Sequence, residues 1–469
     1  MAYTEFYVQT TGSNLNAGST NGNSAVYTAT NGNWDGTSIY TPTDGSTPAS
    51  TVSVGDFASI YLDAATVAVY IARVTAVAAG VNGAITLSTT AFSGTAPASG
   101  ATGRSIKVGG AWKGPNGAVN FPVGLITGAL TNASGNATRI NFKGGTNYAI
   151  TATITNSVQG PVIYQGYTTA IGDGGKATVD GGTAGASYNL LLQNGSPARC
   201  GIQWRDFIFQ NNGATGTAEG VVCHDFEVMF IRCVFNSVRG YGYIEDSGLC
   251  YLIECEAYAC NQSNNTNTAG LSASILLRCT SHDNTGSNSS GIFTTAIAIG
   301  CIADSNGDRG IVAISTIVSS VINCDAYNNG GSGIVFGSFV ITSNIIENCN
   351  SVKNGGYGFD NPDAAGSFFF SNNAVGSGTQ ANGSGATNLQ VSSSVTNENL
   401  VTYAANITPW VDPANGDFRI NLAAAKNAGR GAFTETASSY SGSIGYPDIG
   451  AAQANAESPI LVNKRRRIM

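Results

Sequence analysis

A short pattern with a cysteine at its centre recurs six times between residues 233 and 352. The steps between successive cysteines are 22, 24, 22, 23 and 25 residues. A nearly constant period in this range is typical of a solenoid, in which each repeat forms one coil that packs on its neighbours. The sequence therefore predicts a column of stacked coils. The six cysteines are Cys233, Cys255, Cys279, Cys301, Cys324 and Cys349.

Composition predicts a folded, turn-rich β protein. Hydrophobic residues make up 42% of the chain and charged residues 10%, and there are 61 Gly, 19 Phe and 19 Tyr. This balance supplies apolar side chains for a core together with many turn-forming positions. The net charge of −7 argues against a nucleic-acid-binding surface over most of the molecule.

Neither export through a signal peptide nor a membrane span is expected. The first residues lack a basic start followed by an apolar stretch, and no uncharged apolar run approaches the roughly 18 residues that cross a bilayer. We therefore expect the chain to fold in a cytosol and to leave it, if at all, by lysis or a route without a signal.

The repeated cysteines are predicted to be structural. Parallel stacking would set them on neighbouring coils with their Cβ atoms pointing the same way, which is poor disulfide geometry. We therefore predict buried, reduced thiols that pack as small apolar groups. Zinc is the alternative, and Cys255 and Cys260 are close in sequence, but no cluster of histidines completes a ligand set. No metal and no cofactor are predicted.

One stretch resembles a known class of proteins. The run from Gly160 to Tyr167, followed by Gly172-Asp-Gly-Gly and Val179-Asp-Gly-Gly, resembles the opening turns of right-handed parallel β-helix proteins of the pectate-lyase-like class. Asp448-Ile-Gly-Ala-Ala-Gln resembles a closing motif of many such chains. The resemblance implies an all-β, right-handed parallel β-helix over about 140–395, and it implies an architecture rather than an activity.

Three parts are expected along the chain. Residues 1–105 are predicted to form a small β-rich N-terminal domain for anchoring or capping. Residues 106–395 are predicted to form the β-helix, preceded by a short capping helix that begins near Phe121. Residues 396–469 are predicted to close the β-helix and to end in a basic tail, Asn463-Lys-Arg-Arg-Arg-Ile-Met, that is either mobile or docked on an acidic partner surface.

Aligned repeats predict the roles of three columns. Residues two after each cysteine are mostly small, as an inward position beside a corner requires. Residues five after four consecutive cysteines are asparagines, predicted to hydrogen-bond from coil to coil and to adopt left-handed backbone angles. The residues before three cysteines are Arg232, Glu254 and Arg278, which predict a structural stack of ion pairs. The small column is Phe235, Ala257, Ser281, Ala303, Ala326 and Ser351, and the asparagine column is Asn284, Asn306, Asn329 and Asn354.

A fourth column carries the candidate chemistry. Three residues after the cysteines, His282 and Asp304 would be neighbours on adjacent coils, flanked by Tyr258 and Tyr327. A histidine beside a carboxylate could act as a general base, and aromatic rings suit the face of a sugar. The alternative, which we favour, is a solvated polar rib without catalysis. Tyr258, His282, Asp304 and Tyr327 are therefore the candidate binding residues, with His282 and Asp304 the candidate catalytic pair.

Enzyme motifs of the resembled class are missing. Its polygalacturonase-like members carry paired aspartates and a Gly-His-Gly motif, and neither occurs here. Its pectate-lyase-like members use an aspartate cluster for calcium with a nearby arginine. The nearest match is Asp304, Asp308 and Arg309, and these lie too close together on one turn to reproduce that site.

Several later strands are apolar without alternation, which predicts burial on both faces. Ile311-Val-Ala-Ile and Ile334-Val-Phe are examples, together with Ile275-Leu-Leu, Val321-Ile and Phe368-Phe-Phe. Packing against other copies would bury the outward side chains, and the resemblance to viral β-helices favours a homotrimer.

These features lead to one functional expectation and one alternative. The expected function is a structural or adhesive phage virion surface protein: a fibre, a tailspike or a capsid decoration subunit, with glycan binding as an added role. Its partners would be its own copies, other virion proteins and a host-surface or environmental polysaccharide, with no nucleic acid. The alternative is a carbohydrate-active β-helix enzyme, either a polysaccharide lyase or a glycanase, including a tailspike depolymerase.

Overall fold

The computed structural model describes most of residues 4–360 and a few short pieces of the chain beyond them. The described ranges are 4–9, 24–62, 70–89, 93–94, 103–109, 138–156, 161–193, 201–224, 226–264, 268–313, 319–336, 344–360, 368–371, 374–375, 389–390, 396–398, 401–402, 410–415 and 417–420.

The described N-terminal part contains nine strands and one short 3-10 helix. The strands are β1 (Thr4–Val8), β2 (Tyr27–Ala29), β3 (Gly32–Trp34), β4 (Ile39–Pro42), β5 (Phe57–Leu62), β6 (Tyr70–Val77), β7 (Ile85–Leu87), β8 (Ser93–Gly94) and β9 (Arg104–Val108), and the 3-10 helix is Pro48–Ser50. Strands β2 to β9 form an antiparallel sheet with its own buried cluster around Trp34 and Tyr40. Strand β1 instead pairs in parallel with the strand that begins at Thr138.

Thirty further strands follow in parallel sheets. They are β10 (Thr138–Lys143), β11 (Tyr148–Ala149), β12 (Ile154–Asn156), β13 (Val162–Tyr167), β14 (Ala177–Asp180), β15 (Leu191–Gln193), β16 (Ile202–Arg205), β17 (Phe207–Gln210), β18 (Val221–Cys223), β19 (Phe226–Ile231), β20 (Val234–Asn236), β21 (Tyr243–Glu245), β22 (Leu249–Ile253), β23 (Glu256–Tyr258), β24 (Thr268–Leu277), β25 (Thr280–His282), β26 (Ser289–Ile299), β27 (Ile302–Asp304), β28 (Ile311–Ala313), β29 (Ser320–Ile322), β30 (Asp325–Tyr327), β31 (Ile334–Phe336), β32 (Asn344–Glu347), β33 (Asn350–Val352), β34 (Phe359–Asp360), β35 (Phe368–Ser371), β36 (Ala374–Val375), β37 (Leu389–Gln390), β38 (Thr396–Glu398) and β39 (Val401–Thr402). A last antiparallel pair is β40 (Trp410–Asp412) and β41 (Asp417–Ile420), joined through the 3-10 helix Pro413–Asn415.

The strand pairing makes this chain a parallel β-helix. Each coil adds one short strand to an 11-stranded parallel sheet, which runs from β11 to β39. The same coil adds two strand positions to a 20-stranded sheet, where β16 pairs with β19 and β15 pairs with β18. The long strands β24 and β26 run through both positions without a break. The predicted all-β, parallel β-helix fold is confirmed.

The interior changes character along the axis. Early coils stack aromatic rings: Tyr164 lies on Trp204 with centroids 4.0 Å apart, and Phe209 lies on Phe235 at 5.9 Å. Ala257 then follows Phe235 in the same register, and the predicted small column continues in order, fully buried, to Ser351. All nine described cysteines are buried, which confirms the predicted burial of the cysteine column.

The predicted asparagine ladder is confirmed, with one correction. Nδ2 of Asn284 donates to Oδ1 of Asn306 at 2.6 Å, and Asn306 donates in the same way to Asn329 at 2.9 Å. The left-handed backbone angles lie one residue earlier, at Asp283 and its counterparts on the next coils, with φ between 52° and 62°. The ladder residue itself points inward, so its amide stacks, while the residue before it makes the turn. The left-handed residues are Asp283, Ser305, Asn328 and Lys353.

The charged column forms ion pairs, as predicted, with a partner that the repeat did not reveal. Arg278 contacts Glu254 at 2.6 Å. Arg232 pairs with Asp206 through two contacts of 2.7 Å, and Asp206 is fully buried. All four residues adopt left-handed angles, with φ between 53° and 59°. The column therefore turns the corner of each coil and balances its own charge.

The N-terminal sheet meets the first coil. Phe57 of β5 contacts Phe6 of β1 edge to face at 5.0 Å, and both belong to the solenoid core. The boundaries at 105 and 395 stay predictions. The predicted capping helix near Phe121, the motif at Asp448 and the basic tail lie outside the described residues. No helix in the described part of the chain is long and apolar enough to cross a membrane.

Candidate functional site

The predicted binding column lies on the outward face of the 11-stranded sheet. Tyr258 pairs with His282, His282 with Asp304, and Asp304 with Tyr327 on consecutive coils. The residue before His282 is Ser281, which is fully buried and inward, so the column faces outward because side chains alternate along a strand. The structure therefore brings the four residues together, and their role in binding stays a prediction.

The ring of His282 is held between two carboxylates. Nδ1 lies 2.9 Å from Oδ2 of Asp283, and Nε2 lies 2.9 Å from Oε1 of Glu256. An ionised carboxylate only accepts hydrogen bonds, so the contacts that the two ring nitrogens make depend on where the ring carries its proton or protons. His282 therefore links two coils through these contacts, and its role as a general base stays a prediction.

Tyr258 completes the exposed end of the column. Its ring stacks on His282 with centroids 5.3 Å apart and planes 5° apart. Stacked rings at this separation are a favourable aromatic contact. Burial, with a smaller effect of the nearby Glu256, raises the pKa of the Tyr258 hydroxyl. Tyr258 therefore presents a neutral hydroxyl and a half-exposed ring beside Glu256 and Asp283.

The alternative of a solvated polar rib is wrong for the middle of the column. Asp304 is 1% exposed, and His282 and Tyr327 are each 6% exposed. Water reaches the column mainly at Tyr258 and at Asn236 on the preceding coil, which are both half-buried.

A C-terminal hairpin accounts for the burial of Tyr327. The ring of Tyr327 contacts Trp410 of β40 at 5.4 Å and Phe418 of β41 at 6.1 Å, both edge to face. The ammonium group of Lys353 lies 5.7 Å from the centre of the same ring. This end of the predicted binding column is therefore occupied by the chain itself.

Sequence reasoning missed the two acids that hold His282. Glu256 follows Cys255 directly, and positions one and three after a cysteine share the outward face of a three-residue strand. This alternation along the strand was the sequence signal that could have identified Glu256 as a neighbour of His282. Asp283 occupies the left-handed turn position with φ of 52°, which the prediction had assigned to the next residue.

Another acidic residue, Glu219, lies outside the predicted binding column. Burial raises the pKa of Glu219 to about 7, although its carboxylate accepts a hydrogen bond from the backbone N–H of Tyr241. The ring of Tyr241 contacts Phe293 at 6.3 Å. Glu219 is therefore a carboxyl group next to Tyr241 that holds its proton close to neutral pH. The repeat pattern did not single out this residue.

The three residues nearest to a calcium-lyase pattern do not gather around an open position. Asp308 Oδ2 lies 3.7 Å from Arg309 Nε, while Asp304 is buried in the column described above. Across the described ranges, no three His, Cys, Asp or Glu side chains are grouped as a metal ion would require.

The 20-stranded sheet carries an apolar outward face. Two adjacent columns of half-buried side chains run along it in register, and both are apolar from β19 to β26. Beyond β26, Ser320 of β29 interrupts the first column and Glu347 of β32 ends the second. We call this surface the apolar face. Its residues are Met229, Tyr251, Ile275, Ile297 and Ile345 in one column and Ile231, Ile253, Leu277, Ile299 and Ile322 in the other.

Two of the strands predicted to bury their outer side chains against other copies do so within a single chain. Val312 of β28 is 1% exposed and Val335 of β31 is 2% exposed, so these outward positions form no exposed patch. That part of the interface prediction is wrong. Ile275, Leu277 and Ile322 come from the other predicted runs and are half-buried members of the apolar face.

Comparisons with known proteins find similar structures but no similar sequence. No protein-family model matches the chain, and no curated protein matches it. A pectate lyase, Pel9A, is 19% identical over 68% of this chain and 88% of its own, with a TM-score of 0.43. The A-module of the mannuronan C-5 epimerase AlgE4 from Azotobacter vinelandii is 11% identical over 62% and 93%, with a TM-score of 0.42. The Dettilon tailspike protein is 13% identical over 56% and 62%, with a TM-score of 0.35.

Proposed function

We propose that this chain is a structural and adhesive surface protein of a phage particle, a fibre, tailspike or decoration subunit, and that it works as a homotrimer. The observation that supports the proposal is the apolar face. Ten large apolar side chains stand half-buried in two adjacent columns. A contiguous apolar surface of this kind marks contact with another surface, because leaving it in water favours aggregation.

A second copy of the chain is the partner that suits this face. The face repeats once per coil, and another copy offers a surface with the same repeat. The charged column lies beside it in sequence, since Arg232 follows Ile231 and Arg278 follows Leu277, and both arginines are exposed. An apolar centre with a charged rim is the usual composition of a protein interface. An oligomer with closed symmetry would bury the apolar face of every copy and would not grow into an open filament.

The oligomeric state tests this proposal directly. Sedimentation equilibrium of the full chain is expected to give three times the chain mass over a range of concentrations. A stable monomer contradicts the proposal. A dimer would keep the face as an interface and contradict the trimer. Antibody labelling of purified phage particles, viewed by electron microscopy, is expected to mark the particle surface.

The adhesive role is assigned to the exposed end of the predicted binding column. Tyr258 offers a half-exposed ring, and Glu256 and Asp283 offer acceptors for sugar hydroxyls. Binding to an array of glycans is expected to weaken at least tenfold in Tyr258→Ala. Tyr357→Ala is the matched control, because Tyr357 is also half-buried but lies outside the column. Equal loss in both variants, or no binding by the unaltered chain, contradicts the role.

Glu219 favours a second candidate function, that of a carbohydrate-active lyase or glycanase. A carboxyl group with a pKa near 7 can donate a proton to a leaving oxygen at neutral pH. Product release from acidic and neutral polysaccharides would be measured for the unaltered chain, for Glu219→Gln and for His282→Ala and Asp304→Ala. Activity that only Glu219→Gln abolishes would support an enzyme at Glu219. Activity lost in His282→Ala or Asp304→Ala would support the predicted catalytic pair.

A further inference from the structure

Two cysteines outside the repeated column meet inside the coil. The sulfur of Cys250 lies 3.0 Å from the sulfur of Cys223, and both residues are fully buried. The sulfur atoms of the other seven described cysteines each lie within hydrogen-bonding distance of two main-chain carbonyl oxygens. Thiols of the repeated column also interact with the thiols of neighbouring coils, but they do so from one repeat position, whereas Cys223 and Cys250 meet from two different strand positions.

The parallel Cβ atoms that make disulfides unfavourable in the repeated column are not a feature of Cys223 and Cys250. Cys223 ends β18 and is in register with Glu245, whereas Cys250 belongs to β22 and is in register with Val228. The two side chains therefore reach the interior from different strand positions of two consecutive coils and converge. Bonded sulfurs are about 2.05 Å apart, so bond formation requires them to approach by about 1 Å.

We propose that Cys223 and Cys250 are a redox-linked modification site that forms a disulfide between two consecutive coils under oxidising conditions. One thiolate attacks a low-molecular-weight disulfide and releases one small thiol. The second thiolate then displaces the second small thiol and forms the Sγ–Sγ bond. The two cysteines lose two electrons and two protons in total, and the small disulfide takes them up as two thiols.

The reaction is expected to be slow in the folded chain and favourable at equilibrium. The neighbouring Cys223 sulfur, together with burial, raises the pKa of Cys250 well above its ordinary value, so little thiolate is available until the coil opens locally. Once formed, the bond closes a loop between positions 27 residues apart and restricts the unfolded chain. A chain folded in a reducing compartment would therefore gain the bond after exposure to an oxidising medium.

The test uses the full chain and compares refolding in oxidised with refolding in reduced glutathione. Thiols are then alkylated, and the peptides are mapped by mass spectrometry. The oxidised sample is expected to show eight alkylated cysteines out of ten, a Cys223–Cys250 cross-link and a mass lower by two hydrogens before alkylation. Its urea midpoint is expected to rise, and the rise is expected to disappear on reduction.

Matched variants separate this site from the repeated column. Cys255→Ala removes a column thiol and is expected to keep the cross-link, whereas Cys250→Ser is expected to lose both the cross-link and the redox-dependent shift. Ten alkylated cysteines after oxidative refolding overturn the proposal. So does a cross-link that maps to any other pair, including Cys200 with Cys223. The cross-link is mapped in the monomer and trimer fractions alike, so its result does not depend on the oligomeric state.

Discussion

Glu219 couples the stability of the coil to pH. Its pKa is raised from 4.5 to about 7 by burial, so the folded chain holds a proton that the unfolded chain has already released within this range. The free energy of unfolding therefore falls as pH rises from about 4.5 to about 7, by on the order of 1–3 kcal/mol. Glu219→Gln keeps the shape of the side chain without the charge. Urea unfolding at pH 5 and pH 8 is expected to show a smaller pH dependence in this variant.

Glu227→Gln provides the control for this measurement. Glu227 is exposed on the adjacent strand β19, and its replacement is expected to leave the pH dependence as in the unaltered chain. An unchanged slope in Glu219→Gln would show that the carboxyl group is not the source of the dependence.

At the candidate site, the sequence could predict register but not burial. A nearly constant repeat is enough to align His282 with Asp304, because each coil has one residue at each position of the short sheet. The alternation along the strand places Glu256 on the same face as His282, but aligning the repeats compares only residues at equal positions, so this diagonal partner was missed. It also could not predict that Trp410, far along the chain, packs on Tyr327, because that contact depends on tertiary folding of a segment outside the repeat.

Among the elements, the asparagine ladder is predicted to hold the corners of four coils. Asn306→Ala removes three buried side-chain hydrogen bonds, to Asn284, Asn329 and the main-chain oxygen of Ser281. Asn284 Nδ2 still donates to Ser281 Oγ, and Asn329 Oδ1 still accepts from the main-chain N–H of residue 306. At about 0.5–1.5 kcal/mol for each lost hydrogen bond, we expect the free energy of unfolding, measured in urea, to fall by about 2–4 kcal/mol.

Asn328→Gly is the matched change at the same corner. Asn328 is exposed and has a φ of 53°, which glycine adopts without strain. Replacing the Asn328 side chain is expected to lower the free energy of unfolding by under about 1 kcal/mol. Equal destabilisation by both variants would contradict a special role for the ladder.

The one-residue error in the left-handed position has a physical cause. Asparagine is common both in left-handed turns and in stacked ladders, so residue type alone does not separate the two. The turn position is occupied by Asp283, Ser305, Asn328 and Lys353, which share no residue type. The buried ladder position is uniform because only a stacking amide satisfies it, and this uniformity was what the sequence displayed.

The hairpin of β40 and β41 is predicted to be held to the coil by its aromatic contacts. Phe418 is buried against Tyr327 and Trp410, and Phe→Ala at such a site costs about 3 kcal/mol or more. Phe418→Ala is therefore expected to release the hairpin locally. Amide hydrogen exchange in Trp410–Asp412 is expected to become about a hundredfold faster or more, while exchange in β30 changes little.

Val411→Ala is the control for shortening a side chain in the same hairpin. Val411 lies in the same hairpin with 47% of its surface exposed, and its replacement is expected to leave exchange nearly unchanged. Exchange in Phe418→Ala that matches the unaltered chain would mean that the hairpin is held by other contacts.

For the molecule as a whole, the apolar face decides between a solitary and an assembled state. The resemblance and the alternation rule predicted buried outer walls, but the rule could not say whether the same chain or another copy buries them. Val312 and Val335 turned out to be covered within one chain. The half-buried columns from β19 to β32 remain, and the trimer proposal now depends on them.

Leu277→Glu is the sharpest test of that proposal. Leu277 lies within the apolar face and is half-buried in the single chain, so a glutamate can reach water in the monomer and the fold is expected to survive, as judged by circular dichroism. In the assembled state each copy would bury an unpaired charge, which costs about 3 kcal/mol or more and weakens association more than a hundredfold. Sedimentation is therefore expected to show monomers. Val81→Glu, at a position 69% exposed in the N-terminal sheet region, is expected to sediment like the unaltered chain. A Leu277→Glu protein that still assembles would mean that the copies meet through a different surface.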